Sequence, residues 1–221
     1  MKKRLTLLSY GLLAFSLAAC TGSAKPPAPS GEESAPASVS VSYAVGDIIL
    51  ADGSAVKPDS LALTESTNFP AAVIAEIKED GTALGLGVHR SSGPLPWTPD
   101  KDGEDAPVSA DPQSSPAFAF VETYADTHHL NGALASGWYM PDISELCAIY
   151  ENREEINASL SKIYSLDEHA AMDGLGTNWY WSSTQSETQE DYGWFVHFFN
   201  GYSSDCPKNF TNLHVLAVRA F

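Results

Sequence analysis

The stretch AAVIAEIKEDGTALGLGV, residues 71–88, restricts the fold more than any other. Two apolar runs flank Glu79-Asp80-Gly81. An Asp-Gly pair supplies the backbone geometry that a tight turn between antiparallel strands requires. The spacing predicts a hairpin with strands over Ala71–Lys78 and Thr82–Val88. A shorter strand over Val45–Leu50, ended by a turn at Asp52-Gly53, precedes it.

Residues 91–116 are rich in Pro, Gly, Asp and Ser and break this β pattern with a long irregular loop. Its Asp100-Lys101-Asp102-Gly103 hints at a calcium loop. Aligned on Gly103, the first and last ligand positions would be Thr98 and Ser109, where such a loop needs Asp and Glu. The acidic loop 100–111 reads better as a solvated turn.

Helical signals follow. Ala117–Ala125 reads as one helix. Asp142 with Glu145 three residues on is a capping box by type, and Ile143, Leu146, Cys147 and Tyr150 form one buried stripe. Asn152 and Glu155 repeat the cap pattern before Ile156, Leu160, Ile163 and Tyr164. Strand patterns return over Trp179–Ser183, Phe195–Phe199 and Val215–Phe221. Short strands, two or three helices and long irregular loops make an α+β fold.

The first nineteen residues stand apart. Lys2, Lys3 and Arg4 precede an apolar run from Leu5 to Ala19, interrupted by Ser9, Gly11 and Ser16, as in a secretory signal. Leu17-Ala18-Ala19-Cys20 resembles a bacterial lipobox. That resemblance implies cleavage before Cys20 and acylation of its thiol, which would hold the protein on a membrane without a spanning helix. Residues up to 42 contain prolines, serines and alanines and read as a flexible tether. The folded domain is expected over 43–221.

Charge narrows the partners. Removing the leader leaves nine Lys/Arg against 28 Asp/Glu, a net charge of −19. Such a surface repels nucleic acid and anionic headgroups. Cys147 and Cys206 are expected to be unpaired, with Cys147 on an apolar helix face. Catalytic patterns are missing from the sequence. His128 and His129 are adjacent, His169 has no spaced partner, and no Ser-His-Asp arrangement, phosphate loop or HExxH occurs. No cofactor, metal site or enzymatic activity is expected.

Four pieces of the C-terminal third then fall in order: GWYMPDISEL at 137–146, YWSSTQ at 180–185, GWFVHFFNG at 193–201 and VRAF at 218–221. Together they resemble the C-type-lectin-like fold in its formylglycine-generating-enzyme branch. Within it they are similar to bacterial surface domains and to the variable proteins of diversity-generating retroelements, among them a lipoprotein of treponemes. The resemblance covers roughly residues 117–221. Tyr139-Met140 and Leu216-Ala217 depart from the usual residues there. The Glu-Pro-Asn, Gln-Pro-Asp and Trp-Asn-Asp triplets of calcium-dependent lectins do not occur.

The resemblance implies a fixed scaffold that includes Trp181, Trp194, Val196, Phe198, Gly201, Lys208 and Arg219. It also implies a variable ligand-binding set within about 178–221. That set is Phe195, His197, Phe199, Tyr202, Ser203, Ser204, Asp205, Cys206, Pro207, Phe210, Thr211, Leu213 and His214. In this group diversity arises at adenines, often in AAC or AAT asparagine codons. First- and second-base changes there never give Lys, Glu, Gln, Trp or Met, and none of these occurs in the set. Asn209 and Asn212 would be unmutated template. Strand alternation sends Trp194, Val196 and Phe198 into the core and Phe195, His197 and Phe199 outward; the alternative is that Phe195, Phe199 and Phe210 are buried core. The implied function is recognition of a protein or other surface ligand; the alternative is a non-diversified structural or adhesive envelope lipoprotein of the same fold. Thr21 after the lipidated cysteine lacks the Asp that retains many lipoproteins in the inner membrane, so a surface-exposed protein lipid-anchored in the outer membrane is expected, and a monomer.

Overall fold

A computed structural model of the chain describes residues 42–62, 68–98 and 115–221. The leader, Cys20, nearly all of the tether and the acidic loop 100–111 lie outside the described residues. In chain order the elements are β1 (Ile48–Leu50), β2 (Ala55–Val56), β3 (Pro70–Ile77), β4 (Ala83–Arg90), α1 (Pro116–Glu122) and α2 (Tyr124–Thr127). They continue with α3 (Ile143–Glu151), α4 (Arg153–Leu166), β5 (Trp179–Gln185), β6 (Tyr192–His197), β7 (Tyr202–Pro207) and β8 (Leu216–Ala220). Among the described residues two antiparallel sheets and four α-helices make the fold α+β. Among the described residues no helix is long and apolar enough to cross a membrane.

The hairpin read from residues 71–88 is β3–β4, with Val73 opposite Leu86 and Ile77 opposite Ala83. The Asp80 carboxylate accepts the Thr82 N–H at 2.9 Å and closes the turn. The larger sheet has the order β2-β1-β3-β4-β8, so the last strand of the chain lies beside the hairpin. Alternation along its strands divides the interior in two. Ile48, Val73, Leu84 and Leu86 face α3 and α4, where they meet Leu146, Ile149, Ile156, Leu160 and Ile163. Ile49, Ala72 and Ile74 face α1 and α2, where they meet Phe118, Val121, Tyr124 and Trp138. A sheet covered on both faces reads as a continuous apolar run, as residues 70–75 do.

The capping box on α3 is present. Asp142 accepts the Glu145 N–H at 2.8 Å, and Glu145 accepts the Asp142 N–H at 3.1 Å. The buried Glu145 carboxylate also accepts from Lys78 Nζ at 2.7 Å and from Tyr139 O–H at 2.9 Å. The expected second cap is different. Asn152 makes no side-chain cap; its Nδ2 donates to the Ala75 carbonyl at 2.8 Å and ties the start of α4 to β3. The helix expected over Ala117–Ala125 is two helices, which brings the number of α-helices among the described residues to four. Thr123 Oγ1 donates back to the Ala119 carbonyl at 2.8 Å, where the chain breaks between α1 and α2; such back-bonding bends helices.

The smaller sheet has the order β5-β6-β7. Main-chain bonds at His214 fasten it to the rest: Trp181 N–H donates to the His214 carbonyl at 3.1 Å, and His214 N–H to that of Trp179 at 2.8 Å. The Trp181 indole, wholly buried, donates to the Leu95 carbonyl at 2.8 Å. Gly193 lets the Trp97 ring lie directly on β6, since a Cβ there would collide with it.

Candidate ligand-binding face at the end of the small sheet

Cross-strand pairing sets the site. Trp179 on β5 lies opposite His197 on β6, and His197 lies opposite Tyr202 on β7. Side chains of paired residues share a face. One row across the sheet thus carries an indole, an imidazole and a phenol, and Phe199 in the β6–β7 turn extends it. Phe199 is 70% exposed, Tyr202 58% and Trp179 37%. His197 is half-buried, its ring 4.8 Å from Trp179 and 6.0 Å from Phe199.

The row rests on a rigid base. Behind it Phe195 is 4% exposed, stacks parallel to Trp179 at 5.1 Å and meets Tyr202 edge-on at 6.4 Å. The turn beneath Phe199 is fixed from the other side. Gly201 has φ +73°, and a Cβ there would strike the Tyr150 ring of α3. Asn200 Oδ1 accepts the Tyr202 N–H at 3.1 Å, which closes the turn.

A family profile describing the Lcl C-terminal domain matches residues 88–219, more than half of the 221-residue chain. The chain belongs to the Lcl C-terminal domain family. The matched span begins in β4, ends in β8 and contains the whole small sheet. No curated protein matches the chain.

On this family scaffold the residues expected to vary fall into three groups. His197, Phe199, Tyr202, Ser203 and Ser204 gather at the end just described, with Ser203 exposed and Ser204 half-buried. Asp205, Cys206 and Pro207 run down β7, half-buried, towards the other end of the sheet, where Pro207 pairs with Tyr192. Exposed Phe210 and Thr211 follow Pro207 in the chain. Five residues at about 3.3 Å each separate Tyr202 from Pro207 by about 17 Å.

The third group is internal and corrects the expectation. Phe195 and Leu213 are buried, not displayed. Val196 and Phe198 enter the core beneath α3 and α4 as expected, but Phe195 enters the second core with Trp97 and Trp181. β6 is therefore covered on both faces over Phe195 and Val196, and alternation alone cannot say which face is open. His214 is half-buried, with Nδ1 3.3 Å from the Ser91 carbonyl, and burial lowers its pKa.

The expected scaffold residues are mostly structural. Trp181 is core, Lys208 is buried, and Arg219 donates to the Ser136 and Ala133 carbonyls at 2.9 and 2.7 Å. Trp194 differs: it is half-buried, on the face of β6 opposite Phe195, where its partner is Asp205. Trp179 was not anticipated as a site residue. Its signal lay in the register, because a residue opposite His197 must share its face.

Both thiols are free and neither is activated. Burial, then the Asp205 charge, pushes Cys206 up to about 12. Burial, then Glu151, raises Cys147. A nucleophilic thiolate needs the opposite shift. Among the described residues no group of three or more His, Cys, Asp or Glu side chains is placed to hold a metal ion.

Proposed function

We propose that this member of the Lcl C-terminal domain family is a lipid-anchored surface receptor or adhesin of C-type-lectin-like fold. Its ligand-binding face is the Trp179–His197–Phe199–Tyr202 end of the small sheet, diversified at His197, Phe199 and Tyr202. It binds without catalysis and is held at the outer membrane through acylated Cys20, with residues 21–42 as spacer.

The carrying observation is the contrast between Phe199 and Tyr202, exposed at 70% and 58%, and the stiff frame beneath them. Exposed aromatics on a fixed backbone give large contact area at low entropic cost, and Ser204 on the same face supplies an adaptable hydrogen bond. A few such rings dominate binding energy in most interfaces. Diversification fits this division of labour. Substitution at Phe199 or Tyr202 changes the surface and leaves the core intact.

The test is genetic. Sequencing the gene and its flanks should reveal a reverse transcriptase and a near-identical copy of the 3′ coding segment. The two copies should differ at adenines in the codons of His197, Phe199, Tyr202 and Ser203. A locus lacking both elements would contradict diversification and leave a fixed envelope lipoprotein.

A further inference from the structure

We propose that the exposed aromatic row takes an arginine-bearing basic segment of a protein partner, with guanidinium groups stacked on Trp179, Phe199 and Tyr202. The inference rests on the reading of this end of the sheet as the ligand site, and it names the chemistry of the occupant.

Charge is the first argument. The chain carries 28 acidic against 12 basic residues. Several of its cations are already engaged. Lys57 pairs with Asp47 and Lys78 with Glu145, each at 2.7 Å, and Arg90 donates to the Gly174 carbonyl at 2.8 Å. The field around the domain is therefore negative and steers cationic partners inward. Exposed Glu187, Glu190 and Asp191 add to it at the far end of the same sheet.

The second argument is the chemistry of the rings. The protein places its own cations over aromatic faces elsewhere: Arg153 lies 4.2 Å from the Tyr150 centroid and Arg219 5.0 Å from that of Phe221. Among the described residues no Lys or Arg lies over Trp179, Phe199 or Tyr202. Beside the row stand Asn200 in its turn and Ser204, which shares its face through the pair with Phe195; both are neutral hydrogen-bonding residues. Electron-rich ring faces in a negative field suit a cation. Guanidinium suits them better than ammonium, because it is planar, more weakly hydrated and stacks. Anionic polymers would meet the opposite field.

The experiment uses the full-length protein with fluorescently labelled hexa-arginine, hexa-lysine and hexa-glutamate peptides, read by anisotropy at low and physiological salt. Hexa-arginine should bind several-fold more tightly than hexa-lysine, and hexa-glutamate should not bind. The Phe199→Ala, Tyr202→Ala double variant should weaken hexa-arginine at least about tenfold. The Glu187→Gln, Glu190→Gln, Asp191→Asn triple variant should weaken both basic peptides alike and flatten the salt dependence. Circular dichroism melts check that each variant is folded. Equal binding of hexa-arginine and hexa-lysine, unaffected by the aromatic double variant, would overturn the inference as bulk charge attraction. A ligand from an unbiased screen that is neutral or acidic, yet lost in the double variant, would also overturn it while leaving the site reading intact. A screened ligand indifferent to the double variant would remove the site reading too.

Discussion

The Phe195 ring lies parallel beneath the Trp179 indole, 5.1 Å between centroids and 5° between planes. One member of the pair is core and the other is surface. The contact is the point where the interior of the domain becomes its aromatic face, and the two rings should respond differently to truncation.

Phe195→Ala should cost about 3–5 kcal/mol of stability, the usual range for a buried phenylalanine. Phe199→Ala, at 70% exposure, should stay within about 0.5 kcal/mol. Urea denaturation of both variants checks the assignment. Equal losses would mean that Phe199 is not free of the core.

Gly201→Ala should destabilise by about 1–3 kcal/mol, because φ +73° is strained for any residue with a Cβ. The overlap with the Tyr150 ring adds to it. Combining it with Tyr150→Ala should show positive coupling in a double-mutant cycle, since the second change removes the overlap and leaves the strain. Strict additivity would show that the turn does not rest on α3.

Much of the framework was legible because it is encoded over a few residues. Asp80-Gly81 marks its turn by backbone preference, and Asp142 with Glu145 marks a helix start by side-chain reach. Three features were hidden for a common reason. Ser203, Ser204 and Asp205 are weak strand formers, yet they lie in β7 because β6 offers a ladder to pair with. Phe195 alternates correctly, but a second core covers its face, and that core is assembled from Trp97, Trp181 and Leu213, distant in sequence. Non-local cover of this kind leaves no trace in periodicity. Trp179 was missed likewise, because its role depends on register with His197.

Glu145→Ala should cost about 2 kcal/mol or more. It deprives Lys78, the Tyr139 hydroxyl and the Asp142 N–H of one shared acceptor. Lys78 is partly solvated, so its share of the loss is small. Glu145→Gln should recover part of the stability by keeping the cap. If Glu145→Ala melts like the wild type, the network does not support α3.

Stability should fall on mild acidification. His128 stacks on His89 with centroids 4.2 Å apart. Burial, then the His89 and His129 charges, lowers His128 to about 4 from an ordinary 6.5. The unfolded chain therefore binds a proton that the folded chain refuses between those values. The contribution is fully present above pH 6.5, is lost as pH falls towards 4, and levels off below that. His89 and His214, both lowered by burial, act in the same direction. Urea midpoints between pH 7.5 and 4.5 should drop, and His128→Asn should flatten the slope. A midpoint that rises on acidification would contradict this.

The most direct test compares the two ends of the small sheet. For a ligand captured from a screen of surface proteins, affinity is measured for His197→Ala, Phe199→Ala, Tyr202→Ala combined, and separately for Phe210→Ala, Thr211→Ala combined. The account predicts a loss of at least about a hundredfold for the first set, as removal of several hot-spot rings gives, and a change within about twofold for the second. Affinity lost in the second set and kept in the first would contradict it.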